Sequence, residues 1–293
     1  MKPQRALDWL IPLIVLIATI AALVGIFAQG GNGSFSFTTF RGQNVQIYGQ
    51  GLYRFDTVFS AATFKAVDVI TLLVSVPFLV IAFVLYRRHS LRGTLLLASA
   101  LPYFLYNGAS MTFSAAFNRM FLFYAAMFSA GFFAFVVALS TIDLSTLSKR
   151  VLPNLPHRGI AIFMFVAGIG TLFLWSSELI GPLMTGNAPA NLGPYTTMFT
   201  HGFDTAIITP ATVLTGFFLL QHKPLGYLFA APLLIFCTQN GITVMAATIS
   251  QAIAGLIFPI GVYIGMVGSW VIMGAFAIWL TFLFFRNITE TVL

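Results

Sequence analysis

The sequence has little charge and almost no cysteine. Only 7% of its 293 residues are charged, against about 25% in soluble domains, and 59% are hydrophobic. The single cysteine, Cys237, excludes an internal disulfide and a cysteine-cluster metal site. The chain also has no phosphate-binding glycine loop, no paired-histidine zinc motif and no serine elbow, so we expect no metal and no cofactor. This composition is typical of a membrane protein.

Apolar segments of about 20 residues, long enough to cross a bilayer, recur along the whole chain. We predict eight transmembrane helices, at 7–28, 59–86, 93–115, 118–142, 159–182, 197–221, 226–250 and 257–285. The first segment could be a signal peptide, but its apolar run is longer than such peptides have. The predicted fold class is therefore an all-α polytopic membrane protein.

Lysine and arginine favour the cytoplasmic side of a membrane protein. With the N-terminus inside, ten of the 14 Lys and Arg residues flank the inner ends of the predicted helices. The other four, on the outer side, are Arg41, Arg54, Lys65 and Arg119. We therefore predict a location in the cell (inner) membrane with both termini cytoplasmic. This distribution also explains the net charge of +7, so no nucleic-acid partner is expected.

Two parts of the chain resemble each other. In both, a polar pair three residues apart precedes an apolar run, a basic turn and a helix with an Asn-Gly dipeptide. The members are Lys65, Asp68 and Asn107 in one part and His201, Asp204 and Asn240 in the other. The two parts differ in length by three residues before the third helix, a difference that we place around the basic turn.

We interpret this pattern as a 4+4 tandem repeat. The predicted units are a first four-helix repeat at 1–142, a cytoplasmic linker at 143–158 and a second four-helix repeat at 159–293. An even number of helices in each unit keeps the two units in the same orientation, the parallel-repeat arrangement of some transporters.

Ionisable side chains inside a bilayer cost from about 2.5 kcal/mol upward, and they normally face a cavity or a partner. At a spacing of i and i+3, both members of each polar pair lie on one helix face. We therefore expect the matched residues to converge on an outward-opening polar cavity, with Glu178 nearby. The predicted substrate-binding residues are Lys65, Asp68, Asn107, Glu178, His201, Asp204 and Asn240.

Each candidate also has a structural interpretation. Lys65 and Asp68 could form an ion pair, and His201 and Asp204 could form an interhelical hydrogen-bond clamp. The two Asn-Gly dipeptides could serve only to let helices pack closely through the glycine. Glu178 could be an interfacial residue without a role in binding.

The outer segment at 29–57 follows the first predicted helix. Alternating apolar residues in SFSFTTF and NVQIY, around the turn residues RGQN, predict a short β-hairpin. The hairpin could cap the cavity as a lid, or the segment could be an ordered loop.

Several short motifs carry a resemblance to a known family. VQIYGQGLYRFDTV, Asp68, FLYN and HGFDTAIITP are similar to an uncharacterised family of bacterial multi-span membrane proteins with Y-G-x-G-L-Y and L-D-x-x-x-x-x-P elements. The resemblance covers most of the chain and implies a bacterial membrane location without a named activity. The family pattern has glutamine where this chain has His201, so the resemblance does not imply a required imidazole.

Three functions are compatible with these features. The leading hypothesis is a transporter or permease for a small polar or amphipathic solute or a lipid headgroup, with rocking of the halves and protonation of a carboxylate or His201. An alternative is an intramembrane enzyme at the outer leaflet, in which His201 is a general base oriented by Asp204. A third is a non-catalytic membrane subunit or sensor.

Overall fold

The structure is a computed structural model that describes residues 3–290, and most of it is a helical bundle. The first helices are α1 at Pro3–Phe27, α2 at Val58–Ile70, α3 at Val76–Tyr86, α4 at Leu91–Phe113, α5 at Phe121–Ser140 and α6 at Leu144–Lys149. The others are α7 at His157–Thr185, α8 at Phe199–Phe203, α9 at Thr209–Leu220, α10 at Pro224–Ile253, α11 at Ile260–Val262 and α12 at Ser269–Arg286. Three π-helical segments join α2 to α3, α8 to α9 and α11 to α12, at Thr71–Ser75, Asp204–Ile208 and Tyr263–Gly268.

Within residues 3–290, seven helices are long and apolar enough to cross a membrane, judged by length and composition. They are Arg5–Phe27, Val58–Tyr86, Phe121–Ser140, His157–Thr185, Phe199–Leu220, Pro224–Ile253 and Ile260–Arg286. Each continuous span across a π segment counts here as one helix. The prediction of an all-α multi-pass membrane protein is confirmed at this level.

The third predicted span, at 93–115, corresponds to α4, which is not among the seven. The helix has 23 residues, long enough to cross a bilayer, but it carries several polar side chains, including Ser99 and Asn107. It packs against α3, α5 and α10, and many of its residues are buried there. A helix enclosed by other helices needs fewer apolar residues than one that faces lipid. The predicted count of eight spans is therefore not confirmed.

The predicted β-hairpin is confirmed. Strands β1 at Phe35–Thr38 and β2 at Asn44–Ile47 pair antiparallel, with Phe35 opposite Ile47. A compact turn follows β2, and its Gly51 N–H donates to the Gly30 carbonyl at 2.7 Å. Gly49 has a φ of 73°, and a Cβ there would lie 1.8 Å from the Gly33 carbonyl oxygen. Only glycine therefore allows these two backbone segments to cross.

Helices α4 and α10 form the centre of the bundle and contact each other. In the N-terminal half, defined as α1 to α5, helix α4 packs against α3 and α5. In the C-terminal half, defined as α7 to α12, helix α10 packs against α9 and α12 in the corresponding way. Helix α10 also packs against α2, so contacts between the halves are made largely by the two central helices.

Several local features recur in the two halves at a constant separation. The first two π segments, Thr71–Ser75 and Asp204–Ile208, are 133 positions apart. The same separation relates Pro77 to Pro210, the left-handed His89 to His222 and Gly93 to Gly226. Each proline lies at the start of the helix after its π segment, and each histidine lies in the turn before the central helix.

This constant separation changes the register expected from sequence. With this separation, Asp68 corresponds to His201 and Thr71 corresponds to Asp204. The two aspartates therefore do not occupy corresponding positions in the two halves. The three-residue difference therefore arises from pairing Asp68 with Asp204, which stand three positions apart in this register. Its placement around the basic turn was wrong, because Pro77 and Pro210 precede their turns by the same number of residues.

The start of α1, the last residues of the described chain and three turns lie at one end of the bundle, here called the terminal face. Asp8 and Arg87 form an ion pair there. The carboxylate of Glu290 accepts hydrogen bonds from the N–H groups of Leu91 and Arg92, at 2.9 and 3.1 Å, and so caps the start of α4. The predicted linker at 143–158 contains α6, and its Val151 pairs with Ile288. The opposite end, with the hairpin, is the hairpin face.

The Asn-Gly dipeptides of α4 and α10 allow close helix packing. A Cβ on Gly108 would lie 2.6 Å from the Phe128 nitrogen of α5, and one on Gly241 would lie 2.8 Å from the Gly274 Cα of α12. We expect Gly108→Ala to destabilise the protein by about 1–3 kcal/mol, because the helices must separate. Gly170→Ala is the matched control, since a Cβ at this position meets nothing within 4 Å. Alanine also has a higher helix propensity than glycine, so this variant should not be destabilised. Thermal unfolding in detergent measures both, and equal stability of the two variants would contradict this packing.

Candidate functional site

Four polar residues of the C-terminal half form one group, here called the acidic cluster: Trp175, Glu178, His201 and Asp204. The Trp175 indole Nε1 donates to Asp204 Oδ2 at 3.0 Å, and His201 Nε2 lies 3.1 Å from Glu178 Oε2. The rings of Trp175 and His201 are also in contact, with centroids 4.0 Å apart and planes tilted by 40°. Three of the predicted site residues are therefore brought together.

Helical spacing explains this arrangement. Trp175 and Glu178 lie three residues apart on α7, and His201 and Asp204 lie three residues apart on α8 and the segment after it. Each pair therefore shares one helix face. The two hydrogen bonds connect Trp175 with Asp204 and Glu178 with His201, so the pairs meet in antiparallel order. His201 and Asp204 thus form interhelical hydrogen bonds, as one alternative from the sequence expected. Each of them bonds a residue of α7.

The acidic cluster runs from an accessible to a buried position. The Glu178 side chain is 32% exposed, whereas His201 is 7% exposed and Asp204 is 4% exposed. A carboxylate buried to this degree needs donors, because an unpaired buried charge is strongly unfavourable. Trp175 supplies one donor, and the phenol of Tyr106 on α4 is close enough to Asp204 to interact with it. Asp204 is thus contacted by both halves of the protein.

Aromatic rings surround the α4 side of the acidic cluster. The Tyr106 ring lies 5.3 Å from Phe203, 5.1 Å from Phe236 and 6.5 Å from Phe199, measured between centroids. All three contacts are edge-to-face. The acidic cluster therefore has two carboxylates and an imidazole, and aromatic side chains pack beside it.

Asp68 and Lys65 have separate partners in the N-terminal half. Asp68 is buried and accepts a hydrogen bond from the Tyr53 hydroxyl at 2.7 Å. A Cβ on Gly25 of α1 would collide with the Asp68 carboxylate, so this glycine makes room for it. Lys65 Nζ donates to the Tyr48 hydroxyl at 2.9 Å and lies 5.1 Å from the centre of that ring. Both tyrosines belong to the turn after β2.

The ion pair proposed between Lys65 and Asp68 is not formed. Among residues 3–290, side-chain pairs within ion-pair distance are Arg87 with Asp8 and His201 with Glu178. The amide of Asn107 donates to the Tyr103 carbonyl of its own helix at 3.0 Å, and Asn240 is partly buried. Within the described part of the chain, no hydrogen bond joins the Asp68 group to the acidic cluster. Convergence of both groups on one cavity stays a prediction.

A third polar group, here called the central crossing, lies where the two halves meet: Thr71, Ser75, Tyr103 and Gln239. Gln239 Nε2 of α10 donates to Ser75 Oγ at 3.2 Å, and the Thr71 and Tyr103 hydroxyls are 3.0 Å apart. Gln239 and Tyr106 occupy matching positions in the constant separation, and each reaches the second helix of the other half. The halves therefore exchange polar contacts near both π segments.

The tyrosine, tryptophan and glutamine partners of these groups were absent from the predicted site. Tyr48 and Tyr53 belong to YGQGLY, which had served only as a family motif. Trp175 precedes Glu178 by one helical turn, a spacing that could have indicated it. Tyr106 and Gln239 had no such signal, because only the packing of α4 and α10 brings them to the other half.

The outer segment is fastened to both halves at the hairpin face. Asp56 Oδ1 accepts from the Ala116 N–H at 2.8 Å and from the Tyr195 hydroxyl at 3.0 Å. The hairpin turn adds hydrogen bonds from Arg41 to the Tyr195 carbonyl and from Gln43 to the Pro189 carbonyl. Burial raises the pKa of the Asp56 carboxyl from 3.8 to about 6, although both accepted hydrogen bonds lower it.

No protein-family model, curated protein or solved structure matches this chain. The possible function of the Asp68 group, the acidic cluster and the central crossing is therefore inferred from the residues that form them. The similarity to a bacterial membrane family stays a prediction.

The contribution of the hydrogen bond from Trp175 to Asp204 to stability can be tested by substitution. Trp175→Phe keeps most of the ring but leaves the buried carboxylate without this donor, so we expect a loss of about 1–3 kcal/mol in stability. Trp279→Phe, at a residue that is 56% exposed, is the control and should have little effect. Thermal unfolding compares the two. In an Asp204→Asn background the cost of Trp175→Phe should shrink, and an unchanged cost would refute the contribution of this bond.

The raised pKa of Asp56 predicts a pH dependence of stability. Its contribution is complete below the ordinary pKa of 3.8 and is lost as pH rises through about 6, because the folded state then holds an ionised, buried carboxylate. We therefore expect the stability of the wild type relative to Asp56→Asn to fall by about 2–3 kcal/mol over this window. Unfolding temperatures of both proteins across the pH range measure this.

Asp143 provides the control for that measurement. It is exposed, and hydrogen bonds from Ser145 and Thr146 lower its pKa from 3.8 to about 2. Its contribution is therefore present above pH 3.8 and is lost as pH falls through about 2. The wild type relative to Asp143→Asn should show a flat difference above pH 4. A flat difference for Asp56→Asn as well would contradict its raised pKa.

Proposed function

We propose that this membrane protein is a transporter or permease for a small polar or amphipathic solute that carries a positive charge. The observation that supports this most is the pair of matched π segments, each followed by a proline and each contacted by a polar side chain from the other half. Interrupted helices in membrane transporters commonly form the solute and ion sites, because their backbone and side-chain polar groups face a protein interior.

The proposal includes a tandem 4+4 arrangement with α4 as an eighth membrane helix. The constant separation of 133 positions supports this, since it joins π segments, prolines and left-handed histidines. The corresponding packing of α4 and α10 against their neighbours also supports it. The two halves are then related by an axis along the membrane normal, and the units are 1–142 and 159–293 with the linker between them.

The acidic cluster is the proposed solute site. Two carboxylates, Glu178 and Asp204, attract a cation, and aromatic rings of Tyr106 and Trp175 favour an amine or quaternary ammonium group through cation–π interaction. Glu178 is the accessible entry point, and Asp204 is the buried end. A lipid headgroup such as choline or ethanolamine has the same chemistry, and the experiment below separates it from a free solute.

Relative motion of the halves would change the surroundings of Asp204. Its Trp175 donor belongs to the same half and would move with it, whereas Tyr106 belongs to the other half. Rocking would therefore remove one partner and leave the other. His201 Nε2 lies 3.1 Å from Glu178 Oε2, so an arriving cation would compete with this contact for the carboxylate.

The outer segment acts in this proposal as a closing element. It is bonded to the α4–α5 connection through Ala116 and to the α7–α8 connection through Tyr195 and Pro189. These contacts bridge the two halves at the hairpin face. Access to Glu178 from this side by a larger solute would require the contacts of the hairpin turn to separate.

Proteoliposomes that contain a pH-sensitive dye test the proposal. We expect aliphatic amines or choline, added outside under an imposed proton gradient, to cause dye responses that empty liposomes do not show. Asp204→Asn and Glu178→Gln should each reduce the rate by about tenfold or more, since each removes a charge at the site. Asp143→Asn, at an exposed carboxylate, is the matched control and should retain the rate.

A lipid substrate is distinguished in the same vesicles. Fluorescent phosphatidylcholine or phosphatidylethanolamine, scored by dithionite bleaching of the outer leaflet, would show full bleaching if headgroups are moved across. Movement of neither amines nor labelled lipids by a folded protein, under proton gradients of either sign, would refute the proposed function.

A further inference from the structure

The central crossing contains a buried acceptor without a partner. Gln239 is only 3% exposed, and its Nε2 donates to Ser75 Oγ at 3.2 Å. Its Oε1 is buried and has no hydrogen-bond partner within residues 3–290. Native proteins rarely leave such an acceptor unpaired, because the desolvation cost is not recovered. The amide oxygen therefore points to a bound species that supplies positive charge or a donor.

Three further side-chain oxygens belong to the same buried polar network as this amide. Ser75 is fully buried, Tyr103 is 1% exposed and Thr71 is 7% exposed. The Tyr103 hydroxyl lies 3.0 Å from Thr71 Oγ1, and it also interacts with Ser75. Two aliphatic hydroxyls, a phenol and an amide are thus linked in one buried network inside the bundle.

The backbone at this place also favours a cation. The helix runs without a break from α2 through the π segment Thr71–Ser75 into α3. Pro77 has no N–H, so a carbonyl of the preceding turn loses its usual donor. Freed carbonyls of interrupted helices are common cation ligands in transporters.

We propose that Thr71, Ser75, Tyr103 and Gln239 bind a dehydrated sodium ion at the first π segment. The ligand oxygens are neutral, and one carboxylate, Asp68, lies a turn earlier on the helix and is bonded to Tyr53. This weak field suits a monovalent cation, whereas calcium and magnesium sites use several carboxylates. The four side chains are more than nine-tenths buried, so the place admits an ion and excludes an organic solute.

The sodium site is distinct from the acidic cluster. It belongs to the matching π segment of the N-terminal half, where Thr71 stands in the position that Asp204 has in the other half. The central crossing would then hold neutral oxygens that bind an inorganic ion. The acidic cluster would hold the carboxylates that bind the solute. Sodium binding does not require transport, so the two proposals can fail independently.

Thermal unfolding of the purified full chain in sodium, potassium and choline chloride at equal ionic strength tests the site. We expect sodium alone to raise the unfolding temperature, with a shift that grows with the logarithm of its concentration. Ser75→Ala and Gln239→Leu should weaken the apparent sodium affinity by about tenfold or more. Ser99→Ala is the matched control and should keep the wild-type shift. Among residues 3–290, the hydroxyl of this buried serine bonds the Leu95 carbonyl of its own helix.

If Gln239→Leu does not fold, the variant Gln239→Glu still tests whether sodium binds at this site. Gln239→Glu retains the ligand oxygen and adds a negative charge, so sodium should bind it more tightly than the wild type. Equal unfolding temperatures of the wild type in all three salts would mean that water fills the place, and the proposal would be overturned. A sodium shift of wild-type size in Ser75→Ala would overturn it as well.

Discussion

Buried polar groups in a helical membrane protein must find partners inside the protein, because the bilayer core supplies none. Asp68 and Asp204 are both almost completely buried, and each accepts a hydrogen bond from an aromatic side chain, Tyr53 or Trp175. Those donors tie the outer segment to α2 in one half and α7 to α8 in the other. The placement of several elements thus follows from the need to satisfy two carboxylates.

The same constraint explains how the halves are held together. The central helices α4 and α10 carry polar residues at matching positions, Tyr106 and Gln239, and each reaches the interrupted helix of the opposite half. Glycines at 108 and 241 meanwhile bring each central helix against the backbone of its neighbour. Close packing within a half and polar contact between halves therefore occur on the same two helices, and a shift between halves would exchange polar partners while the apolar packing of each half is kept.

Much of the fold was predictable from sequence, since apolar length and alternation are local properties. The runs of about 20 apolar residues located the helices, and the alternation in SFSFTTF and NVQIY located the hairpin. The spacing of Trp175, Glu178, His201 and Asp204 on helix faces was also local, and three of those four were predicted site residues. Register between the halves was less accessible, because polar pairs three residues apart can be matched in more than one way.

By itself, the sequence determined that this chain is a multi-pass helical membrane protein with costly ionisable residues inside its helices. Composition and periodicity carry that information, because both depend only on neighbours along the chain. The tertiary structure decided which groups satisfy those residues: Glu178 and not Asp204 bonds His201, and Tyr53 and not Lys65 bonds Asp68. Such partners come from helices far apart in sequence, so only three-dimensional packing brings them within hydrogen-bond distance.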